Sequence, residues 1–286
     1  MKAAKTSAAR SILSTVRSVE EHYGSRDLLT AIDEALRDAS KVGAKLTAGD
    51  LAPFDHFHTG GKATSVELAE IAGVSADMEV LDLGGGLAGP ARFLADEYGC
   101  SVTSLDVTPE YCRVARILND RTGLSERVRI VEADALDLPF SDASFDLVWT
   151  QHAVMNIADK ASFYAEAHRV LRPGGHLALF DVVGGRHGSP HFPVPWAEEP
   201  AISFLERPER VRELLRAAGF RETVWEDATS QGRDVYAAVV GLIETGDVPS
   251  LSLRVIVPRF EEKFRNLVRN VDEGRIELLR AVCEAV

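Results

Sequence analysis

The chain has 286 residues, 45% apolar and 27% charged, which is long enough to close a full hydrophobic core as one large domain or two small ones. Its formal net charge of −12, spread without an acidic or basic block, argues against an electrostatic grip on nucleic acid or on an anionic membrane. Cys100, Cys112 and Cys283 are odd in number and lack metal-type spacing, so a disulfide scaffold and a zinc site are set aside and a reducing, cytoplasmic compartment fits.

Taken in chain order, residues 1–19 carry Lys2, Lys5, Arg10 and Arg17 with no acid, and Ile12, Val16 and Val19 fall on one helical face. This reads as an amphipathic first helix, although the pattern also resembles an organellar transit peptide. No signal-peptide core is present, and no apolar run reaches the roughly 18–20 residues of a membrane helix. Leu28, Leu29, Ile32, Ala35 and Leu36 recur at helical spacing, with Gly43 near the end of the stretch. Residues 47–61 are rich in turn formers and read as a loop. Thr64-Ser65-Val66-Glu67 then has the form of a capping box, predicting a short helix to about Ala72.

From Glu79 the hydrophobic period changes. Apolar runs over 80–83, 102–106, 128–131, 145–150 and 176–183 read as strands, alternating with helices that open at Pro90, at Pro109 and after Asp159. That alternation predicts βαβ units and a parallel sheet covered on both faces. Thr108-Pro109 is an N-cap followed by proline at the first helical position, and Gly99 and Gly219 sit where left-handed caps are wanted. Residues 184–203, dense in proline and glycine, cannot be a central strand. A helix over 208–218, a strand over 222–226, helical stretches over 235–244 and 258–270 and a closing strand over 276–285 complete the reading.

The stretch over 80–90, Val-Leu-Asp-Leu-Gly-Gly-Gly-Leu-Ala-Gly-Pro, is a strand, a glycine-rich turn and a helix start. Glycine lets the backbone approach a ligand, and the helix N-terminus offers free N–H groups. Gly84, Gly86 and Gly89 satisfy G-x-G-x-x-G, and Asp106 follows Gly86 by 20 residues, the spacing at which a carboxylate accepts both ribose hydroxyls. The pattern means an adenine nucleoside in a Rossmann-like crevice and leaves NAD and S-adenosylmethionine both open. Asp82, inside the strand end, discriminates: it would repel a diphosphate but suits the ammonium of a methionine moiety. Glu132-Ala133-Asp134-Ala135-Leu136 offers Asp134 to an adenine amino group.

With Leu138-Pro139-Phe140-Ser141-Asp142-Ala143-Ser144-Phe145-Asp146 and Arg169-Val170-Leu171-Arg172-Pro173-Gly174-Gly175 following in order, residues 55–227 resemble class I S-adenosylmethionine-dependent methyltransferases. The likeness is to the small-molecule group, of the sarcosine/dimethylglycine, tocopherol and ubiquinone/menaquinone types. It implies an α/β fold with a Rossmann-like seven-stranded, mostly parallel sheet, helices on both faces, N-terminal helices and a helical cap. It divides the chain into an N-terminal helical region over 1–75 covering the cofactor, a core over 76–230 with a lid at 184–204, and a helical insertion with the last strand over 231–286. It implies that Gly84, Gly85 and Gly86 pack against the amino-acid part of the cofactor with Asp82 close by, and that Asp106 and Val107 hold the ribose. Asp134 and Ala135 would bind adenine, and Gln151 would line the methionine end. His58 and Gly61 belong to a segment, Phe57-His58-Thr59-Gly60-Gly61, that folds over the cofactor in such relatives. Asp146 and the turn over 172–175 are read as shaping the fold.

Residues 149–160 leave the carboxyl end of the fourth strand, where ligands of open α/β sheets bind. Methyl transfer is an in-line displacement that gains from alignment and desolvation, and a base is needed only if the acceptor must lose a proton. His152 is the candidate base, because an unperturbed imidazole titrates near 6.5. Asn156 is the candidate for orienting a polar acceptor. His187, Phe192 and Trp196, with Phe204, form a stiff, proline-rich wall expected to contact the substrate. No metal is expected, since His56, His58, His187 and His191 have no ligand spacing. Gly60-Gly61-Lys62-Ala63-Thr64 is no phosphate loop, because Ala63 replaces the required hydroxyl residue. Cys112 is read as packing. The expected activity is transfer of a methyl group to an N, O or C atom of a small-molecule acceptor, with no nucleic acid or membrane partner and with a homodimer allowed. An NAD-dependent oxidoreductase and a non-catalytic S-adenosylmethionine-binding protein are the competing readings.

Overall fold

The computed structural model describes residues 28–41 and 45–286; the readings of residues 1–19 and of Gly43 lie outside these residues. Within them, β1 (Glu79–Leu83), β2 (Ser101–Asp106), β3 (Val128–Glu132), β4 (Phe145–Gln151), β5 (Leu171–Gly184), β6 (Phe220–Asp227) and β7 (Ile276–Ala285) form one sheet. Its order is β3-β2-β1-β4-β5-β7-β6. Strands β1 to β5 are parallel, and β7 inserts antiparallel between β5 and β6. This is the expected fold class. The helices are α1 (Leu28–Asp38), α2 (Ala48–Asp55), α3 (Lys62–Ala72), α4 (Gly89–Phe93), α5 (Pro109–Thr122), α6 (Lys160–Val170), α7 (Pro208–Ala217), α8 (Thr229–Thr245) and α9 (Phe260–Asp272).

The strands read as unbroken apolar runs because both faces of the sheet are covered. Val80, Leu147, Trp149 and Phe180 point into one core layer, whereas Leu81, Val148, Leu177 and Leu179 point into the other. Helices α5 and α9 close the first layer through Val114, Leu118, Phe264 and Leu267; α6 and α7 close the second through Phe163, Tyr164, Val211 and Leu215. Asp146 accepts from the Glu79 backbone at 2.8 Å and pairs with Arg172, so this motif shapes the strand edge as expected.

Three local readings are corrected. Residues 47–61 are not all loop: Thr47 and Asp50 form a reciprocal capping box that starts α2, which tolerates Pro53 inside it. The box expected at Thr64 and Glu67 is absent, since α3 begins earlier, at Lys62, with Gly61 as its N-cap and no side-chain cap. The Thr64 hydroxyl instead donates to the Thr59 carbonyl at 2.6 Å, and Glu67 pairs with Arg280. Helix α8 starts six residues before the expected 235, at Thr229. Its first turn is polar and hides the helical period. Thr108 is the N-cap of α5 ahead of Pro109, and Gly99 and Gly219 both take positive φ, as read.

Candidate active site

The carboxyl ends of β1, β2 and β4 meet where the strand order reverses, the place at which open α/β sheets leave a crevice. A cavity of about 200 Å³ opens there. Of the eleven positions expected to hold the cofactor, His58, Asp82, Gly84, Gly85, Gly86, Asp106, Val107, Asp134, Ala135 and Gln151 all line it. Gly61 does not; it lines a second, adjoining cavity.

The turn after β1 has no room for side chains. A Cβ on Gly85 would lie 2.0 Å from Ser104 Oγ and 2.3 Å from Asp82 Oδ2, and one on Gly84, at φ +72°, would lie 2.4 Å from the Ala153 Cβ. The bare backbone therefore forms the cavity floor. Asp106 is fixed at the end of β2 by two backbone donors, Gly86 N at 2.9 Å and Thr108 N at 2.8 Å. Each carboxylate oxygen keeps acceptor capacity for a ligand hydroxyl. Asp134 accepts from Leu136 N at 2.9 Å, which folds the turn after β3 toward the same space.

Asp82 pairs in register with Ser104, whose hydroxyl donates to it at 3.0 Å. Burial, with Asp106 nearby, pushes its carboxyl up to about 7. Asp55, Asp82, Asp106, Asp134 and Asp159 line the cavity, and among the described residues no lysine or arginine does. Such a site suits a cation and repels a diphosphate. Gln151 Oε1 accepts from Trp149 Nε1 at 3.0 Å and Ser65 Oγ at 3.1 Å, while its buried Nε2 has no partner. An orphan buried donor at the cavity edge matches a carboxylate brought by a ligand. The donor set thus fits the amino-acid, ribose and adenine parts of S-adenosylmethionine.

His152 leaves β4 at φ +50°. Its Nδ1 lies 3.1 Å from the Phe180 carbonyl, which can only accept, so Nδ1 carries the hydrogen. Nε2 then presents a lone pair, meeting Thr59 Oγ1 at 2.8 Å and the Thr59 backbone N–H at 3.4 Å. Thr59 Oγ1 lies in turn 2.6 Å from the Tyr236 hydroxyl. Burial pulls the His152 imidazole down to about 4. His58, also held well below its usual range by burial, bonds Ser65 Oγ at 3.1 Å through Nε2.

The second cavity, of about 360 Å³, shares Phe57, His58 and His152 with the first. Trp196 lines it, as expected of a substrate wall. The other two wall residues lie elsewhere: His187 is exposed and bonds the Glu273 carbonyl at 3.1 Å, and Phe192 packs against the core, so neither lines either of these two cavities. Asn156 lines the first cavity, but its amide donates to the Trp196 and Ile202 carbonyls at 3.0 and 2.7 Å. Its side chain ties the proline-rich segment to the end of β4 rather than offering that amide to an acceptor. Among the described residues no cluster of metal-ligating side chains occurs.

Three contributors escape the sequence reading. Thr59 and Tyr236 are 177 residues apart, and nothing local marks them as partners. Arg92 is fully buried and pairs with the equally buried Asp55 at 2.8 Å, fixing α2 against α4 beside the cavity. A lone arginine inside the apolar run Pro-Ala-Arg-Phe-Leu-Ala was the available signal for a buried ion pair.

Comparison with known proteins agrees with this geometry. Residues 81–179 match a family model described as a methyltransferase domain. A sarcosine/dimethylglycine N-methyltransferase of Halorhodospira halochloris is 34% identical over 155 residues, 54% of this chain and 56% of the relative. The chain spans about half the length of the curated relatives it matches. Among solved structures, a putative sarcosine dimethylglycine methyltransferase from Galdieria sulphuraria superposes with a TM-score of 0.66 at 19% identity, covering 88% of this chain and 98% of that one. Geranyl diphosphate C-methyltransferase from Streptomyces coelicolor, solved with S-adenosyl-L-homocysteine, gives 0.65 at 15% identity over 79% of each chain. Residues 81–179 thus match a methyltransferase domain, and the part of the chain around them is similar to small-molecule methyltransferases.

Proposed function

We propose that this protein binds S-adenosylmethionine in the first cavity and transfers a methyl group to an N, O or C atom of a small-molecule acceptor in the second, releasing S-adenosylhomocysteine. The charge of the first cavity carries this reading: aspartates line it and, among the described residues, no lysine or arginine does. A sulfonium and an ammonium are favoured there, and the diphosphate of NAD is not. The bound cofactor supplies an electrophilic methyl group. The chain supplies position and dryness. Asp106 and Val107 hold the ribose, Asp134 and Ala135 the adenine, Asp82 and the backbone of Gly84, Gly85 and Gly86 the ammonium end, and Gln151 Nε2 the carboxylate. Phe57, His58 and His152 line both cavities, so an acceptor in the second adjoins a methyl group presented from the first, in a water-poor space where alignment is worth most. His152 Nε2 is neutral and accepts from the Thr59 hydroxyl, so a proton leaving the acceptor would reach the imidazole through Thr59. No helix among the described residues is long and apolar enough to cross a membrane. The three cysteines are buried, with thiols pushed up to about 11 for Cys100 and about 12 for Cys112 and Cys283, which supports a reducing, cytoplasmic setting and no thiol chemistry.

Titration calorimetry with S-adenosylhomocysteine tests the cofactor assignment. Asp106→Ala is expected to weaken binding at least tenfold, about 1.4 kcal/mol, and unchanged binding would remove the ribose role. A thermal shift with NAD but not with S-adenosylhomocysteine would instead favour the oxidoreductase. Labelled cofactor incubated with a metabolite extract separates an enzyme from a non-catalytic binder.

A further inference from the structure

Apart from His58, the polar side chains that line the second cavity belong to one hydrogen-bonded cluster, Thr59, His152 and Tyr236. Trp196, Val239, Leu242, Phe264 and Leu267 give it apolar walls, and among the described residues neither an acid nor a lysine or arginine lines it. Of its titratable side chains, His58 and His152 are held neutral by burial, and burial raises the Tyr236 phenol, so it too is uncharged. An anionic acceptor would find no counter-charge, and a cationic one would find no carboxylate.

The cluster has a fixed hydrogen-bond direction. Phe180 O can only accept, so His152 Nδ1 donates and Nε2 accepts. Thr59 Oγ1 therefore donates to Nε2 at 2.8 Å and accepts from the Tyr236 hydroxyl at 2.6 Å. The Tyr236 hydrogen is spent, and what its buried oxygen still offers the cavity is lone pairs. A ligand satisfies that oxygen only by bringing a donor.

We propose that the acceptor is an uncharged, largely apolar molecule bearing a hydroxyl group, which donates to the Tyr236 oxygen at the end of the chain running through Thr59 to His152. The proposal rests on the reading of the first cavity as the cofactor site, and it separates this protein from relatives named for sarcosine and dimethylglycine, whose carboxylates would meet no cation here.

Three probes of one shape test it: 2-naphthol, a neutral donor; 2-methoxynaphthalene, which lacks the donor; and 2-naphthoate, an anion. Binding is measured by calorimetry with S-adenosylhomocysteine saturating, so the first cavity is filled. 2-Naphthol is expected to bind at least tenfold tighter than 2-naphthoate and about fivefold tighter than 2-methoxynaphthalene. Tyr236→Phe should erase the second preference while leaving S-adenosylhomocysteine binding unchanged, with only the small drop in melting temperature of one lost buried hydrogen bond. Equal binding of naphthol and naphthoate, a preference for naphthoate, no binding of any probe, or a naphthol preference that survives Tyr236→Phe would each overturn the proposal. Failure of S-adenosylhomocysteine to bind would overturn the cofactor reading itself, a result seen before any probe is added.

Discussion

Asp82 shows what the site demands of a single side chain. An unfolded aspartate titrates near 3.8, and here burial raises it to about 7. A carboxyl raised on folding contributes stability that is fully present below 3.8 and is lost as pH rises through about 7. The ligand-free protein should therefore gain more from Asp82→Asn at pH 8 than at pH 5, read as the difference in melting temperature; parallel profiles would remove the assignment. The ligand reverses the balance, because an ammonium needs the charged form. S-adenosylhomocysteine affinity should fall several-fold from pH 8 to pH 6 in the wild type and stay flat in Asp82→Asn. Asp82, Asp106 and Asp134 were legible because each stands at a fixed distance from a glycine turn or strand end. Tyr236 was not, since its role depends on α8 bringing it against Thr59, 177 residues away in sequence, and no local pattern encodes that contact.

At the scale of the element, the strands were legible to within two residues except β5, which begins at Leu171 rather than 176 and takes in the expected turn over 172–175, while the starts of α2, α3 and α8 were missed. A buried strand announces itself by an unbroken apolar run. A helix start is decided by competition among nearby hydroxyl and acidic side chains, and here Thr47 with Asp50 made the box while Thr64 with Glu67 did not. The outcome follows from tertiary demand: the Thr64 hydroxyl is taken by the Thr59 carbonyl, and Glu67 is drawn to Arg280. Thr47→Ala should lower stability by about 1 kcal/mol in urea unfolding, whereas Glu67→Ala strips the buried Arg280 of its ion-pair partner and should cost more than the roughly 0.5 kcal/mol of an exposed pair. Loss of the Thr47 cap should also loosen Asp55 at the far end of α2, and with it the buried pair to Arg92.

At the scale of the molecule, the last ten residues are structurally central. β7 hydrogen-bonds β5 along one edge and β6 along the other, and all of it but Glu277 and Glu284 is buried. A chain ending at residue 275 would expose the edge of β5 and leave β6 without a neighbour. We expect it to lose cooperative thermal unfolding by circular dichroism and to bind a hydrophobic dye; a sharp transition near the full-length midpoint would show that the first five strands suffice.

The wall between the two cavities is one set of side chains, Phe57, His58 and His152, facing both ways. A ligand that immobilises this wall from one side lowers the entropy still to be lost by a ligand arriving from the other. The two occupants are thereby thermodynamically linked, and linkage is reciprocal: whatever factor cofactor binding adds to acceptor affinity, acceptor binding returns to cofactor affinity. Shared lining residues would make filling one site favour filling the other, and the check is whether an acceptor probe binds more tightly once S-adenosylhomocysteine is bound.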